Sequence, residues 1–145
     1  MSPASAEAER NTRSAMAGSE KLLLTTYRCG EGTALKGVLR VGAVRFLPRG
    51  VKKVDYRKKG YFDVWLPILS PEAELIKEFR KDPRAGWKEF SRKYEKQILS
   101  SRDARAVLSL LKETAKHTPV AIGCYCEDES LCHRSILKRL IEEAE

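Results

Sequence analysis

Histidine is scarce in this chain, with two among 145 residues, and methionine and tryptophan are equally rare. A metal centre built mainly of imidazoles is therefore excluded. No apolar run approaches the roughly 20 residues that a membrane-crossing helix needs, and no charged start leads into an apolar signal core. The expectation is a soluble cytoplasmic protein with no membrane partner. Cysteine is limited to four residues, which in that compartment serve as thiols, ligands or a redox pair rather than as a secretory disulfide framework. A Walker loop, a Gly-rich dinucleotide turn and a C-x-x-C pair are all missing. So is a phosphatase-type cysteine loop, because Cys124 leads to Ser130, Cys126 to Cys132 and Cys132 to Lys138 where that loop needs arginine. No internal repeat is apparent. Acid is in deficit: 28 Lys and Arg face 20 Asp and Glu, a net charge of +8, which favours an anionic small molecule or nucleic acid as partner.

The material that is present suits one domain. At 145 residues and 42% apolar, the chain can bury a sizeable core. Met1 to Gly18 is rich in Ala, Ser and Glu and has no large apolar residue besides methionine. It reads as a disordered tail, leaving residues 19–145 as a single α/β domain. Leu22 to Tyr27 is a compact β-prone run ending at Arg28-Cys29-Gly30, and Val41 to Leu47 is a second, stopped by Pro48-Arg49-Gly50. Thr33 to Arg40 has the length of a two-turn helix between them, which predicts a strand, helix, strand unit and a parallel pair.

From Arg45 to Lys59, the cations Arg45, Arg49, Lys52, Lys53, Arg57, Lys58 and Lys59 face one acid, Asp55. This is either a solvated loop or an anion-binding one. The interleaved Tyr56, Tyr61, Phe62 and Trp65 read as core anchors, with base stacking as the alternative. Ser70-Pro71-Glu72 has the pattern of a helix start, with Ser as cap and Pro at the first helical position, and Asp82-Pro83 ends that helix. Trp87, Phe90, Tyr94 and Ile98 repeat at helical spacing and predict a second amphipathic helix with an aromatic core stripe. Ser100 or Ser101 caps a third, which turns Ala104, Val107, Leu108, Leu111 and Ala115 inward.

Chemistry concentrates in Pro119 to Leu137. Val120 to Tyr125 is apolar without alternation, so it should be a central strand buried on both faces. Ser130 is positioned to cap a helix beginning near Leu131, with Cys132, His133 and Arg134 in its first turn, where free amides favour anions and lower a thiol pKa. The whole then predicts a small, mainly parallel sheet of three to five strands with helices on both faces.

Pro48-Arg49-Gly50, Trp65, Ser70-Pro71, Leu75, Phe79, the Trp87, Phe90 and Tyr94 pattern, and the closing Cys132-His133-Arg134 together resemble the domain of unknown function 488 family, particularly its YeaO-like branch. The resemblance spans roughly Leu22 to Leu140 and implies a small α/β fold but no reaction. Val44 precedes Arg45 where many relatives carry Asp, and Leu47 stands where Trp is common, so no role borrowed for that acid applies here.

Two functions from different classes follow. One is an enzyme acting on a phosphate-bearing or nucleotide-like substrate, with Cys132 as thiolate, His133 as acid or base, and Arg45, Arg49 and Arg134 as anion-binding groups. The other is an RNA-binding module with structural cysteines. Cys29, Cys124 and Cys126 are candidates for redox or metal roles, Cys29 and Cys126 because both should emerge at the carboxyl edge of the sheet. No cofactor is expected. Zinc held as Cys3His is the remaining alternative, and it is disfavoured because adjacent Cys132 and His133 diverge by about 100° on a helix.

Overall fold

The computed structural model describes residues 21–126 and 128–145. Met1 to Gly18, read as a tail, lies outside them. Strands β1 (Leu24–Arg28), β2 (Leu39–Gly42), β3 (Val64–Trp65) and β4 (Val120–Cys124) form a sheet in the order β1-β4-β2-β3, and every pairing is parallel. Helices α1 (Ala73–Phe79), α2 (Pro83–Leu99), α3 (Arg102–Ala115) and α4 (His133–Glu142) complete an α/β fold.

β4 is central, and all five of its residues are buried, as its unbroken apolar run predicts. Its residues divide between two clusters. Val120 and Ile122 join Leu24 and Val41 beneath Tyr94, Ile98, Leu108, Leu111, Leu137 and Ile141 of the α-helices, each large apolar side chain contributing about 1.5–3 kcal/mol on burial. Ala121 and Cys124 join Tyr27, Cys29 and Phe62 in the second cluster. There the covering includes short 3-10 turns and loops, with Leu35, Val38 and Tyr56 packed against it. Tyr56 meets Phe62 edge-on at 5.2 Å between ring centroids, so these aromatics are anchors. Trp65 is the exception, 38% exposed, with its indole N–H donating to the Val44 carbonyl at 2.7 Å.

Several local expectations change. Thr33 to Arg40 does not form a two-turn helix: one 3-10 turn, Gly32–Ala34, is followed by Gly37 at φ +68°. That positive φ turns the chain out of any helix, and β2 begins two residues later. β1 and β2 are parallel but not adjacent, because β4 inserts between them. β2 also stops at Gly42 instead of running to Leu47, so Phe46 and Leu47 are exposed. Gly42 is required by close approach, since a Cβ there would lie 2.4 Å from the Phe62 ring.

Ser70 is not the cap of α1, which starts two residues later than that reading, after Glu72. Its hydroxyl donates instead to the Pro67 carbonyl at 2.6 Å, closing the preceding 3-10 turn. α2 is capped by Asp82, whose carboxylate accepts from the Ala85 amide, with Pro83 at its first position. Its aromatic stripe is core, with Phe79 stacked on Phe90 at 4.3 Å. Of the two candidate serines, Ser101 caps α3 by accepting from the Ala104 amide at 3.1 Å.

Candidate functional site

The carboxyl ends of β2 and β4 open into a cleft of about 380 Å³. Parallel sheets expose free strand ends on this edge, and ligands collect where the strand order reverses. Phe46, Phe79, Phe90 and Tyr125 line it with flat apolar surface, Arg45 and Arg80 lie on its wall, and Cys124 and His133 reach it from below. The Tyr125 hydroxyl donates to the Phe46 carbonyl at 2.8 Å and ties the two strand ends together. A neighbouring groove of about 570 Å³ is lined by Arg28, Arg49, Arg80, Cys29 and Tyr61.

The floor is set by how α4 begins. Cys132 is extended, at φ −134° and ψ 142°, and is the N-cap residue; the helix starts at His133 rather than near Leu131. The divergence expected of adjacent helical side chains therefore does not apply, and Cys132 and His133 converge. The His133 Nε2–H donates to the Ala43 carbonyl at 2.7 Å, which fixes the tautomer and leaves Nδ1 as a lone pair. Nδ1 lies 3.9 Å from Cys132 Sγ. The imidazole packs edge-on against the fully buried Tyr94 ring, 5.3 Å away. Burial pushes the His133 pKa down to about 4, aided by the Arg134 charge and opposed by the Ala43 hydrogen bond, so the ring is neutral near pH 7.

Cys124, the last residue of β4, brings its sulfur into contact with that of Cys132. Their Cα atoms are 7.8 Å apart, wider than the about 4.4–6.8 Å that a relaxed disulfide spans. The contact therefore marks two sulfurs converging on one point. Arg134 is buried and donates from Nη1 to the Cys126 carbonyl at 2.8 Å and to Cys124 Sγ at 3.5 Å. It belongs to the wall behind the cleft and does not line it.

Of the residues singled out from sequence, Cys124, Cys126, His133 and Arg45 meet at the cleft, whereas Arg49 lies in the adjoining groove. Cys132 is fully buried behind the floor. The Arg45 guanidinium donates to the Pro71 and Ser70 carbonyls at 3.1 and 3.0 Å, which holds it against the start of the α1 segment. Cys29 is unbridged and buried, and burial pushes its thiol up to about 12 against the lowering effects of the Tyr27 hydrogen bond and the Arg134 charge. Cys126, also unbridged, is raised by burial as well. The sequence reading missed Phe46, Arg80 and Asp128 as cleft residues.

No curated protein and no solved structure matches the chain. Residues 24–145 match the family model DUF488-N3a, described as "Active DUF488-N3 subclade". That span runs from the first residue of β1 through the Cys132-His133-Arg134 turn and α4, so the match covers the whole described sheet and cleft, and the chain belongs to the DUF488-N3 subclade.

Proposed function

We propose that the cleft is the substrate site of an enzyme acting on a phosphate-bearing, nucleotide-like molecule. The observation that carries this reading is the pairing of flat apolar walls, Phe46, Phe79, Phe90 and Tyr125, with Arg45 and Arg80 on one cavity. A planar ring would stack on this apolar surface and an anionic group would meet the guanidiniums, which recognise phosphate by charge-assisted, often bidentate hydrogen bonds. Two of Arg45's nitrogens are held by backbone carbonyls, so its charge is oriented before a ligand arrives. The cleft's place at the carboxyl end of the central strand supports the same reading. Its floor supplies two sulfurs and a neutral imidazole, the groups from which nucleophilic or metal-assisted chemistry is built.

The test is thermal stability and calorimetric binding with nucleoside monophosphates, inorganic phosphate and short RNA, on the intact protein and on Arg80→Ala. Arg80 is exposed, so its removal should leave the fold intact. A lost charge-assisted hydrogen bond of about 1.5–3 kcal/mol predicts that Arg80→Ala binds a nucleoside monophosphate about ten- to a hundredfold more weakly. The proposal is overturned if no monophosphate raises the melting temperature. It is equally overturned if RNA alone binds, salt-dependently, and Arg80→Ala leaves that binding unchanged.

A further inference from the structure

We infer that Cys124, Cys132 and His133 form a three-ligand site for a thiophilic divalent metal ion of the zinc class, with the fourth coordination position opening into the cleft. One Sγ from each cysteine and one nitrogen of His133 all lie within 4.8 Å of one another. Tetrahedral zinc with Zn–S of about 2.3 Å and Zn–N of about 2.0 Å places its ligand atoms roughly 3.6–3.8 Å apart. The 3.9 Å between Cys132 Sγ and His133 Nδ1 is already near that span. The two sulfurs must part to admit an ion, and the backbone is spaced for it: Cα atoms 7.8 Å apart are too far for a relaxed disulfide and leave room for a sulfur–metal–sulfur bridge.

The surroundings are those of a ligand set. A metal-binding histidine usually donates its other ring N–H to a carbonyl or carboxylate, which fixes the tautomer and the ring orientation. His133 does this through Nε2–H to Ala43, leaving Nδ1 directed at the sulfurs. The Arg134 guanidinium donates toward Cys124 Sγ at 3.5 Å, which places a positive charge beside that sulfur. Binding converts two thiols to thiolates and releases two protons, so the dication and its sulfurs balance in charge. Cys29 and Cys126 stand outside the 4.8 Å set. That three protein ligands are present, and that Cys124 and His133 line the cleft while Cys132 is buried behind them, gives an open position of the catalytic rather than the structural kind. The inference does not depend on what the cleft binds, and its test reads metal alone.

Full-length protein, metal-stripped and fully reduced, is titrated with cobalt(II) and followed by absorption. The expected result is one cobalt per chain, with a thiolate-to-cobalt charge-transfer band of two-thiolate intensity and tetrahedral visible bands that zinc abolishes. Azide should shift the visible bands by taking the open position. Cys124→Ser and Cys132→Ser should each weaken zinc binding by more than about a hundredfold, beyond the loss typical of supporting residues, while Cys29→Ser and Cys126→Ser leave the bands in place. If a ligand variant fails to fold, band intensity and the azide shift in the intact protein still decide. Absence of the charge-transfer band from reduced protein, bands that survive both ligand variants, visible bands that azide does not move, or a Cys124–Cys132 crosslink that persists by mass after strong reductant overturns the inference.

Discussion

Replacing Asp63 by alanine should destabilise the protein by about 3 kcal/mol. Arg40 on β2 and Asp63, just before β3, have side chains 8% and 15% exposed, and their Nη2 to Oδ1 distance is 2.9 Å. Asp63 Oδ2 also accepts from the Arg40 backbone amide at 2.9 Å and from Nε at 3.3 Å. The substitution therefore takes the acceptor from three donors, two of them on a buried cation. An unsatisfied buried donor costs about 1–3 kcal/mol, and removing one partner of a buried pair costs about 3–5 kcal/mol. Arg40 keeps its bonds to the Gly32 and Arg57 carbonyls, which places the loss at the lower end of that range. Asn, which retains one acceptor oxygen, should cost about half as much. Arg57→Ala should cost under about 0.5 kcal/mol, because Arg57 reaches Asp63 with a side chain 75% exposed.

The same pair makes stability depend on pH. Burial pushes the Asp63 pKa up, but the Arg40 side-chain and backbone hydrogen bonds and the Arg40 and Arg57 charges outweigh it, so the net shift is down. A carboxylate held lower in the folded than in the unfolded protein stabilises fully above the unfolded value, and that contribution is lost as pH falls through the folded one. Urea unfolding followed by tryptophan fluorescence at pH 7, and again on acidification, measures both effects. Wild type should lose the Asp63 contribution on acidification to below the ordinary aspartate range, and Asp63→Ala should lack that component. A variant within 1 kcal/mol of wild type at pH 7, or one with an unchanged acid profile, refutes the assignment.

Gly123→Ala should cost about 1–3 kcal/mol, since its Cβ would lie 2.5 Å from the Tyr27 ring and 2.9 Å from Cys29 Sγ. The Tyr27 hydroxyl is bonded to the Tyr61 carbonyl, so the ring cannot simply swing away; a urea midpoint equal to wild type would contradict this. Cys29, raised from an ordinary 9.0 to about 12, holds roughly a thousandth of an ordinary thiol's thiolate at neutral pH. Its alkylation in the folded protein should be at least a hundredfold slower than in urea and should quicken as pH rises. Peptide mass mapping showing comparable rates would overturn that reading.

The sequence alone determined the fold class and the two elements that frame the cleft. An apolar run without alternation can only be satisfied by cover on both faces, so Val120 to Cys124 was legible as the central strand. The 3.6-residue spacing of Phe90, Tyr94 and Ile98 was equally legible as a core-facing helix. Turn residues also gave the capping of α3, because Ser101 acts through an amide only three residues away, whereas Asp82-Pro83, read as the end of α1, caps α2 instead. Interactions that close over long separations were not legible. β4 entering between β1 and β2 depends on pairing across nearly a hundred residues, and local pattern holds no information about which neighbour a strand selects. β3, two residues long, is defined by its partner rather than by its own composition. The site followed the same division. Cys124, Cys132 and His133 stood out as chemistry-bearing residues in one stretch, but helical periodicity set Cys132 and His133 apart. Tertiary structure brought them together by making Cys132 an extended N-cap and by anchoring His133 to the Ala43 carbonyl, a contact spanning 90 residues that only packing of α4 against the sheet creates.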